Sequence, residues 1–149
     1  MYKVLLVVHV VSATALLGPV YLMPLLARMR GGAEPSIVVL KLEVVIERWV
    51  AAFAVVSLLT GGWLIGVSPV TKDGRFGDAT WLHIGLALFF VFAGLASGFA
   101  GPKMARALTA LQNGDKAGAV KLLTPVDKIV NPLCGVLGAV IIYLMVIKP

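Results

Sequence analysis

The sequence predicts an all-α fold, a bundle of four transmembrane helices in up-down-up-down order, and three observations predict it. Hydrophobic residues make up 60% of the 149-residue chain. Charged residues make up only 13%, where an ordinary soluble domain carries roughly 25%. The apolar residues are gathered into four stretches, each near the about 20 helical residues that a hydrocarbon core requires. Backbone groups in hydrocarbon must bond within their own segment, so these stretches are expected as helices and not as open strands.

The first span is expected over about residues 2–26. Its start resembles a signal peptide, and Ala13-Thr14-Ala15 offers a small-residue cleavage pattern. The apolar run continues to Leu26, however, so an uncleaved span is expected. The second span covers about 48–67. Residues 36–47 alternate apolar and charged positions at helical spacing, with Ser36 as a candidate cap, and read as an interfacial lead-in to it. The third span covers about 80–100. In the connection 101–125, Asn113-Gly114 is a turn signal, flanked by two candidate amphipathic surface helices at 103–111 and 116–123. Thr124-Pro125 then reads as a cap and first-turn proline for a fourth span over about 126–147. With no internal repeat, the chain is expected to be one domain, 1–149.

The formal net charge is +6. The charges sit between apolar runs, which suits membrane-face loops and excludes a nucleic-acid surface. Nine of the 13 Lys and Arg residues, among them Arg28, Arg30, Lys41, Arg48 and Lys103, lie in or beside the 27–47 and 101–125 connections. Lys3, Lys72, Arg75 and Lys148 lie on the other side. The positive-inside rule then places both termini outside and both long connections in the cytoplasm. Trp63 and Trp81 fall at the outer interface. The expected location is a bacterial inner (plasma) membrane. A single cysteine, Cys134, excludes an internal disulfide and a cysteine-pair metal motif.

Function rests on the two histidines, His9 and His83, both inside apolar segments. An ionisable residue within a span marks a functional site by default. At 1.5 Å per residue, His9 lies roughly 10 Å and His83 roughly 5 Å from the start of its helix. Helices one and three run in the same direction and stand diagonally across such a bundle, an arrangement that lets facing side chains share a cofactor. From His83 the same face carries Ala87, Phe90, Gly94, Gly98 and Gly101; from His9 it carries Ala13, Leu16 and Val20, with Ser12 at its edge. Small and aromatic residues beside imidazoles suit a flat apolar ring, and haem b is the expected cofactor. Arg48, at the membrane boundary, is a candidate partner for a propionate or a quinone head group. The competing readings are helix packing through Gly94 and Gly98 and a bare copper or zinc ion on His9 and His83, with Met1 or Asp78 assisting. Glu43 and Glu47, beside Lys41 and Arg48, are expected to form a solvated ion-pair cluster. Asp127 is expected in the first turn of the fourth helix, where the dipole favours an acid.

His9-Val-Val-Ser-Ala-Thr-Ala-Leu-Leu-Gly18-Pro-Val-Tyr21-Leu-Met-Pro24 and Trp81-Leu82-His83-Ile84-Gly85 together resemble the superfamily of the HemJ-type protoporphyrinogen oxidases and the membrane domain of copper-resistance protein D. His9, Gly18, Tyr21 and Pro24 resemble the first-helix pattern of HemJ-type proteins. Trp81 and His83 match their third-helix Trp-x-His-x-Lys, but Gly85 stands where the lysine belongs. The resemblance implies haem b with a first-helix histidine in its binding. The glycine argues against transfer of the oxidase reaction.

The sequence carries no Ser-His-Asp set, no phosphate-binding glycine loop and no polar file for transport. The expected function is therefore haem b binding and electron transfer, as a small membrane cytochrome or a subunit of a redox complex, and not an enzyme by itself. A homodimer or redox-complex subunits are its expected protein partners within the lipid bilayer. The alternatives are a haem-free structural or assembly subunit, a HemJ-like porphyrinogen oxidase, and a copper-handling membrane protein.

Overall fold

The computed structural model describes residues 2–67 and 79–147; Met1, Lys72, Arg75, Asp78 and Lys148 lie outside them. The described residues form four long apolar helices: α1 (Tyr2–Arg30), α2 (Ile37–Val67), α3 (Thr80–Gln112) and α4 (Lys116–Ile147). With 29 to 33 residues each, they extend about 44–50 Å. That is well beyond a hydrocarbon core of about 30 Å, so each helix continues past its membrane span.

Prolines explain how the winding accommodates this length. A proline lacks the N–H of the helical ladder and collides with the carbonyl four residues back. In α1, Pro19 opens a 3₁₀ turn, Pro19–Tyr21, between the regular stretches Tyr2–Leu17 and Met23–Arg30. In α3 a π-helical segment, Gly94–Ala100, precedes Pro102. In α4 a second one, Val126–Val130, lies between Pro125 and Pro132. The wider π winding absorbs the missing bond and lets the helix continue. The expected break at 101–125 is thus a single hairpin in which the surface helices are extensions of α3 and α4. Thr124 does not cap a new helix; its hydroxyl donates back to the Val120 carbonyl. The Asn113-Gly114 turn does form, with Gly114 at φ +83° and Asp115 Oδ1 capping α4 by accepting from the Gly118 amide at 2.8 Å.

Side-chain contacts fix the order of the helices. His9 meets Thr60 and Arg30 meets Glu43, so α1 and α2 are antiparallel neighbours. Glu47 lies against Gly101, Gly85 against Met145, and Arg30 reaches Asp127. The ring is therefore α1-α2-α3-α4, up-down-up-down, with α1 and α3 diagonal as the sequence predicts. One end of the bundle carries Tyr2 and Ile147 (the terminal end); the other carries the two long connections (the loop end).

The core thickens toward the loop end. Leu40, Met104, Ala107, Leu111, Ala119 and Leu123 are buried there, and Leu16, Val20, Val50 and Phe92 continue it to mid-bundle. No residue of α1 before Ser12 is buried. Outward, Val4, Val7, Val38, Leu59, Trp49 and Val146 are exposed, an apolar exterior that a bilayer covers.

Candidate functional site

Two polar constellations stand out inside this apolar frame. The first is His9, half-buried at the terminal end of α1. Its Nδ1 lies 3.0 Å from Thr60 Oγ1 on α2. The Thr60 hydroxyl donates its single proton to the Val56 carbonyl at 2.7 Å, so toward the imidazole it accepts. His9 also has a hydrogen bond to the Ser57 backbone, so α2 holds the imidazole at two points. The ring lies against Gly61, where a Cβ would stand 2.9 Å from His9 Cε1. On the same side of α1, Ser12, Leu16 and Val20 are buried, so the His9 face points into the bundle as the sequence predicts.

His83 is placed differently. Its Nδ1 donates to the Ala79 carbonyl at 3.1 Å. The buried residues of this stretch of α3 are Gly85 and Phe92, and at 100° per residue His83 falls on the opposite side of the helix. His83, Ala87, Phe90, Gly94 and Gly98 are all exposed. The glycine stripe thus faces outward and does not line a shared site with His9. Gly94 and Gly98 also lie about 16 and 22 Å along the axis from His83. Arg48 is exposed as well, about 18 Å along α2 from Thr60. Within one chain the structure does not bring His9, His83 and Arg48 together.

The second constellation lies at the loop end. The buried face of α2 is Leu40, Glu43, Val44, Glu47, Val50, Ala54 and Ser57, spaced at three and four residues. Two carboxylates therefore stand in the core face. Arg30, the last residue of α1, is buried with Glu43. Its Nη1 donates to Glu43 Oε2 and its Nη2 to Asp127 Oδ2. One guanidinium thus ties α1 to α2 and α4. Gly31 at φ +86° ends α1 directly after it. Around this junction, Arg30 Nε, Glu43 Oε1, Glu47 Oε1, Ser97 Oγ, Asp127 Oδ1 and Asn131 Nδ2 are buried without a hydrogen-bond partner among the described residues. Ser97 lies in the π segment of α3, Asp127 in that of α4, and Asn131 follows it. Such segments recur at functional sites.

A family model described as "Predicted integral membrane protein (DUF2269)" matches residues 3–149. The chain belongs to this family. The DUF2269 match agrees with the four long apolar helices and places the protein in a membrane; it carries no cofactor or reaction. Comparisons with curated proteins and with solved structures give no match.

In this DUF2269 protein the solvated reading of Glu43 and Glu47 is corrected. Both are buried, and the partner of Glu43 is Arg30, not Lys41 or Arg48. Lys41 and Arg48 project from the exposed side of α2. Asp127 is not in a first helical turn, because α4 begins at Lys116; it serves the Arg30 junction instead. Arg30, Ser97, Asn131, Thr60 and Gly61 carry no motif and were not distinguishable as site residues. The signal for Glu43 and Glu47 was present, since both share a helical face with Leu40, Val50 and Ala54. Among the described residues no group of three His, Cys, Asp or Glu side chains is arranged to hold a bare metal ion.

Proposed function

We propose that this protein binds haem b within the bilayer through His9 and acts in electron transfer. The observation that carries the reading is the His9–Thr60 pair. A ligating imidazole is oriented by a hydrogen bond at its other nitrogen, and Thr60 makes such a bond to His9 Nδ1. The absent lysine bears on the oxidase alternative. A Cβ at Gly85 would stand 2.8 Å from Met145 Cε, so the lysine of the HemJ-type pattern would have to displace the end of the Met145 side chain. When bound, haem b supplies a one-electron iron couple. Of this chain's residues, His9 would hold it, Thr60 would orient His9, and Gly61 would leave the ring room to lie flat.

A second reading is favoured by the outward position of His83. With one imidazole per chain, an iron position is left for chemistry, and the protein is a reactive haem protein. Carbon monoxide separates the two. Electron transfer would require a partner molecule to supply the second ligand that His83 does not, and the dithionite-reduced wild-type spectrum is then unchanged under carbon monoxide. A carbon monoxide shift in the wild type, unaltered in His83→Ala, would replace electron transfer with the reactive reading.

A further inference from the structure

Between α2 and α3 at the loop end lies an open groove of about 240 Å³. Its walls are apolar, from Ala51 on α2 to Pro102 and Ala105 on α3, and Glu47, Ser97 and Arg48 supply its polar lining. Glu47 is 8% exposed, yet among the described residues its Oε1 has no hydrogen-bond partner, and neither does the buried Oγ of Ser97. Gly101 forms the floor: a Cβ there would stand 3.4 Å from Glu47 Cγ and 4.0 Å from its Oε1. Glu47 also lines a cavity of about 10 Å³ on the bundle axis, shared with Asn131 and Cys134. A carboxyl held under an open groove, unpaired beside an unpaired hydroxyl, is a costly arrangement for a purely structural element.

We propose that this groove binds the ring head of a membrane quinone or quinol, with Glu47 and Ser97 as its buried hydrogen-bond partners and Arg48 at the mouth. The size admits one small ring system and leaves an isoprenoid tail in the bilayer. The charge pattern selects a neutral head, because a phosphate would face the Glu47 carboxyl and an ammonium group would face Arg48. A quinol hydroxyl donates to a carboxylate, and a quinone carbonyl accepts from Ser97 or Arg48, so both forms find a partner. The π segment of α3 sets Ser97 beside Glu47. The inference rests on the groove alone and is independent of the histidines.

The test is equilibrium binding of 2-decyl-1,4-naphthoquinone, oxidised and reduced, to the full chain in phosphatidylcholine nanodiscs, with empty nanodiscs as the partition control. Saturable binding near one per chain is expected. Glu47→Gln and Ser97→Ala should each weaken it about tenfold, the loss that goes with one buried hydrogen-bond partner. Gly101→Leu should abolish it by filling the floor. If Gly101→Leu does not fold, Ser97→Ala, which removes one atom, decides the matter. Uptake no greater than in empty nanodiscs would overturn the proposal. So would wild-type affinity in both Glu47→Gln and Ser97→Ala, or displacement of the probe by dodecyl phosphate in preference to unlabelled quinone.

Discussion

Arg30→Ala will destabilise the protein by about 3–5 kcal/mol, the cost of removing one member of a buried ion pair. Arg30 and Glu43 have side chains only 1% exposed. Without the guanidinium, the Glu43 carboxylate stays in the core with neither a counter-charge nor water. Asp127, whose side chain is 30% exposed, loses the donor to its Oδ2 as well. Glu43→Gln keeps an oxygen acceptor for Arg30 and should cost less than Arg30→Ala. The double variant Arg30→Met/Glu43→Met should recover most of the loss, because packed apolar groups replace a buried pair at little cost. Unfolding in dodecyl maltoside, followed by helical signal against added dodecyl sulfate, ranks the variants. A wild-type midpoint for Arg30→Ala would show that the junction does not hold the helices together.

His9→Ala will reduce bound haem to less than a tenth of the wild-type complement, while Arg28→Ala leaves it intact. Haem extracted per mole of purified chain is the measure. Arg28 is exposed near the loop end, about 28 Å along α1 from His9. His83→Ala should also retain haem, because that imidazole faces away from the bundle. Thr60→Val gives the intermediate case. It keeps the shape and removes the bond that orients His9, a loss of about 1 kcal/mol that loosens binding without abolishing it. Full haem in His9→Ala together with loss in His83→Ala would reverse the assignment of the ligand.

The bundle was legible because lipid imposes simple rules on a sequence. Apolar length gave the four spans, and Asn113-Gly114 gave the turn at the loop end. The helices run on past the expected spans, although Gly101-Pro102 and Thr124-Pro125 look like helix ends in soluble proteins. Here π segments beside Pro102, Pro125 and Pro132 carry the helices through. His9 was legible as an inward residue from the apolar face it shares with Leu16 and Val20. The outward direction of His83 was not, since residues 80–100 of α3 are apolar all round and lipid-facing and core-facing positions look alike in composition. The Arg30 junction was hidden for a related reason. Arg30, Glu43 and Asp127 lie in three separate segments, each beside other charges, and only the fold shows which of those charges turn inward.

The most direct measurement is the visible spectrum of the detergent-purified protein, oxidised and then dithionite-reduced, from cells supplied with haem. Haem bound through His9 predicts a sharp Soret band that shifts on reduction, with close to one haem b per chain. A colourless protein from haem-replete cells would contradict it, and both histidines would then be packing residues of a membrane protein with another task.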